Sequence, residues 1–256
     1  MTRSGRITCA VAGLLALTLA GCQTSPITGR SQLILLSDGQ ANQLGVEAYK
    51  DILKQSKVSK NKEMNRRVRT VGERIAAVSD DPGFDWEFKV IEDDTPNAFA
   101  LPGGKVGVHT GLFKVAKNDD QLAAVMAHEV AHALARHSAE RMSRQILIQT
   151  GLGVAAATSE AVAQNAQIVA QMATLGLVLP FGRDQESEAD EIGLTYMAQA
   201  GYDPREAITL WQNFEKLGGD RPPEFLSTHP SPGTRIQRLQ ALMPEALEIY
   251  RKSGGS

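Results

Sequence analysis

Apolar positions along the chain follow two rhythms. Leu122, Val125, Met126, Val130 and Leu134 recur every three or four residues, which gathers them on one stripe of an α-helix. Asn118, with Gln121 three positions later, supplies the side chains of a capping box at its start. Val68, Val71 and Ile75 repeat that spacing within a charge-rich stretch from 38 to 78, read as two packing helices. Between these regions the period changes. Trp86-Glu87-Phe88-Lys89-Val90-Ile91 alternates as a strand does, Ala98 to Leu101 forms a second strand and Lys105 to His109 a third. The pattern predicts an α+β fold, mostly α-helical, with a small β-sheet beside the helix over 119–134.

The two ends of this pattern are less regular. Arg3 and Arg6 precede an apolar run from Ala10 to Ala20 that ends in Leu19-Ala20-Gly21-Cys22, which reads as a signal peptide over 1–21 with a lipobox. A run of about 11 residues is too short to span ~30 Å of hydrocarbon, so Cys22 is expected as the lipidation site of a tethered domain. Residues 22–37 then read as a lipid-attached tether, rich in Ser, Thr, Pro and Gly over 24–32, and 38–256 as one catalytic domain. Within it, 146–182 is apolar but interrupted by Glu160, Gln164, Asn165, Gln167 and Gln171, too often for a membrane span. It is read as a helical hairpin insertion, with packing, gating and lipid contact all open to it.

Composition narrows the class. Net charge is -2 and becomes more negative if Arg3 and Arg6 leave with the signal, so no basic surface suits nucleic acid. The 2 cysteines are Cys9, inside the signal, and Cys22, so no disulfide is expected and stability must come from a core.

The chemistry lies in His128-Glu129-Val130-Ala131-His132. Two histidines four apart on a helix return to one face and can hold one ion. Glu129, one residue round the cylinder, can act as general base on water without displacing a ligand. Ala135 and Ser138 stand where a metzincin would carry Gly and its third His, which closes that route. His137, nine residues after His128, falls on the opposite side if the helix continues, a surface or outer-layer position. A carboxylate must then come from Arg183-Asp184-Gln185-Glu186-Ser187-Glu188-Ala189-Asp190. There Glu186 and Asp190 share a helical face, one able to bind the ion and the other to orient an imidazole, while Glu188 points away.

Together these motifs resemble the gluzincin family of the CAAX prenyl endopeptidases, the heat-shock membrane protease and the mitochondrial overlapping-activity protease. The resemblance extends to Pro96-Asn97-Ala98-Phe99-Ala100-Leu101-Pro102-Gly103-Gly104, to Gly111-Leu112, and to Thr228-His229-Pro230 with Arg235. It implies a zincin-type metalloprotease domain holding one Zn2+ per chain through His128, His132 and Glu186, with Asp190 behind them and Glu129 catalytic. It also implies substrate binding along an exposed edge strand at Asn97, Ala98, Phe99 and Ala100. His229 approaches the metal in that family, either as a donor to the reaction's oxyanion or as a fourth ligand that holds the enzyme latent. With the lipobox, the expectation is a bacterial periplasmic lipoprotein, anchored to the outer membrane through lipid on Cys22. Its substrates would be unfolded or misassembled envelope proteins, and it would act beside envelope-assembly machinery. The alternative is a zinc-stabilised chaperone or assembly factor for envelope proteins with weak or latent hydrolysis.

Overall fold

A computed structural model describes residues 22–150, 170, 172, 174, 180–217, 224–229 and 234–255. The expected signal peptide and the stretches 151–169 and 175–179 of the expected hairpin insertion lie outside the described residues. Strands β1 (Cys22–Thr24) and β2 (Ser31–Leu33) come first, followed by helices α1 (Asp38–Gln55) and α2 (Lys62–Val78). Next are β3 (Glu87–Ile91), β4 (Ala98–Leu101), β5 (Lys105–His109) and a 3-10 turn over Thr110–Lys114. Helix α3 (Asp119–Leu134) carries the paired histidines and α4 (His137–Thr150) follows it. The remaining helices are α5 (Arg183–Gln199), α6 (Arg205–Lys216), α7 (Glu224–Thr228) and α8 (Arg235–Lys252). The expected α+β fold, helix-rich with a small sheet, is what forms.

In the three-stranded sheet β5 is central, parallel to β3 and antiparallel to β4, so β4 is an edge. Helix α3 lies against β4, α2, α5 and α6 at the centre of the core. Its start is held as the sequence predicts, with Asn118 accepting from the Gln121 N–H at 2.8 Å. The return half of the capping box differs. Gln121 accepts from the Lys117 N–H, and its amide donates to Glu206 at 2.6 Å.

Two local features bring the chain's functional groups together. Arg136 adopts a left-handed φ of 62°, which ends the α3 spiral and lets His137 begin a new helix directly behind His132. Gly193 lets α5 lie against α3, because a Cβ there would stand 2.9 Å from His128 N and 3.0 Å from His128 Cα.

Residues 22–37, expected as a tether, are folded onto the body instead. β1 and β2 pair antiparallel, with Ser25, Gln32, Ile34 and Leu36 buried. Gln32 Nε2 donates to the Ala135 carbonyl at 2.6 Å, so the hairpin satisfies a backbone oxygen at the C-terminal end of α3. Composition marks this stretch as a linker, but its apolar residues and polar donors find partners on α3 and α4. Among the described residues no helix is long and apolar enough to cross a membrane.

Because the atoms facing Gly193 are backbone, they cannot swing aside. Gly193→Ala is expected to destabilise the fold by about 1–3 kcal/mol, the scale of core overpacking. A denaturant midpoint equal to that of the parent chain would show that the helices have room to separate.

Candidate metal centre

Four buried side chains converge from three elements: His128 and His132 on α3, Glu186 on α5 and His229 just after α7. One ligand atom from each lies within 4.8 Å of all the others. The two Nε2 atoms of His128 and His132 are 3.0 Å apart. Glu186 places its oxygens 3.5 Å from His128 Nε2 and 3.3 Å from His132 Nε2. His229 Nδ1 is 3.0 Å from Glu186 Oε1 and 3.3 Å from His128 Nε2. A tetrahedral ion with ligand bonds of ~2.0–2.1 Å has ligand-to-ligand edges of ~3.3–3.4 Å, so this cluster has the dimensions of a metal shell.

Ionisation fits the same picture. Burial holds His132 well below its ordinary value as a neutral ring. Burial also opposes charge on His128, but contacts with Asp190 and Glu186 outweigh it and raise the ring to about 9. Burial likewise disfavours the Glu186 carboxylate, yet His229, His128 and His132 together hold it well below the carboxylate range.

Each helical histidine is braced from behind. His128 Nδ1 faces Asp190 Oδ1 at 3.1 Å. Arg235, itself buried, donates from Nε to Asp190 Oδ2 at 2.7 Å and from Nη2 to Glu186, and its guanidinium lies 4.0 Å from the Trp211 ring centroid. His132 Nδ1 meets His137 Nδ1 at 2.7 Å, and His137 Nε2 meets Glu188 Oε2 at 3.1 Å. Of the surface or outer-layer positions expected for His137, the outer-layer one is what forms, on the His132 side of the helix rather than opposite to it. The left-handed step at Arg136 breaks the helical phase from which His137 was placed. Glu188 does leave the ligand face, but it turns toward His137.

Glu129 is buried beside the cluster, with Oε1 3.3 Å from His229 Nε2. Burial raises its carboxyl above the ordinary value, against the pull of the His229 and His128 rings and the Ala100 N–H. The histidine of the C-terminal motif is enclosed by aromatic rings, Phe225 at 4.4 Å and Phe181 at 5.1 Å between centroids. Asn97, Ala98, Phe99 and Ala100 do lie at the sheet edge, but none is more than 3% exposed. The expected open strand is thus closed over, with Phe99 packed edge-on against Tyr49 and His109.

Comparisons with known proteins agree with this centre. A model of peptidase family M48 matches residues 62–243. The chain is 38% identical over 226 residues to the mitochondrial metalloendopeptidase OMA1 of Schizosaccharomyces pombe, covering 86% of this chain and 66% of that protein. Against the mitochondrial metalloendopeptidase OMA1 of Homo sapiens identity is 33% over 246 residues, covering 89% and 47%. Against the beta-barrel assembly-enhancing protease of Escherichia coli it is 30% over 222 residues, covering 83% and 46%. The chain spans about half to two thirds of the length of these relatives.

These relatives overturn the expected address. The mitochondrial proteins are more similar to this chain than the bacterial one, so the reading as a bacterial periplasmic lipoprotein of the outer membrane, acting on envelope proteins as protease or chaperone, is withdrawn. A lipobox is four residues long, whereas the mitochondrial similarity extends over most of the chain. Matched over its catalytic core and carrying a buried metal-ligand cluster, the chain belongs to peptidase family M48 and is a metalloendopeptidase by class.

Proposed function

We propose that the chain is a zinc-dependent endopeptidase that holds one ion through His128, His132 and Glu186, and that the described conformation is a latent one in which His229 fills the remaining ligand position. The supporting observation is the convergence of four donor groups, with one ligand atom from each within 4.8 Å of all the others and the closest nitrogen and oxygen pairs 3.0–3.5 Å apart, which suits a tetrahedral shell. Structural zinc sites are closed in this way, whereas catalytic ones keep a position open. A chain with the residues of a catalytic site and the geometry of a closed one is therefore read as an enzyme held off.

A bound zinc ion would supply a Lewis acid that polarises a peptide carbonyl and acidifies water. Glu129 takes the proton of the attacking water and returns it to the leaving amine, a role served by a carboxyl that burial makes more basic than an exposed one. His229 Nε2 leans on Glu129 while Nδ1 joins the donor cluster, so its withdrawal would free the base and the ligand position together. Asp190 and Arg235 keep His128 and Glu186 in place. The substrate is a polypeptide whose extended backbone passes Asn97, Ala98, Phe99 and Ala100, adding main-chain contacts at the sheet edge. The burial of that strand agrees with a closed state.

Glu129→Gln is expected to keep about stoichiometric zinc while losing on the order of 10²-fold or more in peptide hydrolysis, the scale of general-base catalysis. Full hydrolysis by the zinc-loaded variant would remove Glu129 from the reaction.

His229→Ala separates latch from donor. If His229 closes the site, the variant retains zinc on three ligands and cleaves an unstructured protein substrate faster than the parent chain. A fall of about 10²–10³ in turnover with zinc retained would instead make His229 a donor to the oxyanion.

A further inference from the structure

A line of polar contacts runs from the N-terminal hairpin to the centre, and we propose that Arg30 is a positioning residue for the ligand His132. This rests on the zinc reading of the site. Arg30 Nε donates to Glu188 Oε2 and Thr28 Oγ1 to Glu188 Oε1, so the hairpin engages both oxygens of that carboxylate. The other guanidinium nitrogens grip Glu140, Nη2 to Oε2 at 2.8 Å and Nη1 to Oε1 at 3.3 Å. Gln185 Nε2 adds a third donor to Glu140 at 2.8 Å. Both glutamates are buried, and the Arg30 side chain is 24% exposed.

With both rings neutral, the order of contacts permits one set of tautomers. Ionised Glu188 only accepts, so His137 carries its hydrogen on Nε2 and presents a lone pair at Nδ1. His132 must then carry its hydrogen on Nδ1, which leaves the Nε2 lone pair facing the donor cluster. A carboxylate behind a ligating imidazole fixes its tautomer and raises its basicity. His128 has one directly, in Asp190, but for His132 the carboxylate stands one ring further back and is aimed by the hairpin. The guanidinium reaches Glu188 through Nε and Glu140 through both Nη nitrogens, a spread of donors that an ammonium, with its three hydrogens on one atom, reproduces only in part. Arg30 therefore ties the placement of residues 22–33 to the orientation of a metal ligand more than 100 positions away in sequence.

The test compares full-length Arg30→Gln and Arg30→Lys with the parent chain and with Arg67→Gln, which removes the ion pair between Arg67 on α2 and Asp119 at the start of α3. Zinc affinity is read by competition with a chromophoric chelator, and the ring N–H protons of His132 and His137 by NMR of the metal-free proteins. Arg30→Gln is expected to lose about 10–100-fold in zinc affinity, the usual cost of an outer partner. Arg30→Lys should fall in between, Arg67→Gln should match the parent, and both ring N–H signals should move or exchange faster in Arg30→Gln. Zinc affinity within twofold of the parent, with ring signals unmoved, would overturn the proposal. If Arg30→Gln does not fold, Thr28→Val removes one contact to Glu188 and is judged by the same two readouts. If the parent chain binds no zinc, the zinc reading fails by itself, and the ring signals of Arg30→Gln still decide whether Arg30 orients His132.

Discussion

Four lone-pair-bearing groups face one another in the centre of this protein, away from water, and the surrounding architecture is arranged around that unfavourable convergence. Buried imidazoles and a buried carboxylate each lose hydration that only a partner can replace. A cation at the middle would satisfy all of them at once, and the spacing of the cluster leaves room for one. The close approach of α5 to α3 at Gly193 keeps Glu186 and Asp190 within reach of His128 and His132. Beyond them, Arg235 compensates the acidic side of the cluster from α8 and the N-terminal hairpin does so from the opposite end of the sequence.

The two helical histidines are braced by different means. His128 depends on Asp190 and Arg235, groups on the packed helices α5 and α8. His132 depends on His137, Glu188 and a hairpin that is partly exposed. A perturbation at the N-terminal side of the molecule would therefore reach His132 and spare His128. Phe181 and Phe225 stack on His229 as well, so the imidazole is held by aromatic contact in addition to its polar partners.

Much of this centre was legible in the residue pattern because it depends on helical phase. His128 with His132, and Glu186 with Asp190, are pairs four apart, and each lands on one face as its spacing predicts. The three strands were legible from alternation and bounded by turns. What escaped depends on events that break the phase or act over long distances. The side on which His137 falls was hidden because one left-handed residue, Arg136, ends the spiral on which its position was counted. The role of Glu188 requires His137 to be in place first, and that of the hairpin requires both. The burial of β4 was hidden because pairing makes it an edge while side-chain packing, not pairing, determines its exposure. The cellular address rested on a four-residue N-terminal motif, and similarity over most of the chain points elsewhere.

X-ray absorption spectroscopy of the zinc-loaded chain would test the account most directly, because it counts imidazoles around the ion without requiring turnover. The latent, four-donor centre predicts a shell of four nitrogen or oxygen ligands at ~2.0–2.1 Å with outer-atom scattering from three imidazoles. A shell with only two imidazoles would contradict the placement of His229 in the ligand set, and a chain that binds no zinc would contradict the centre itself.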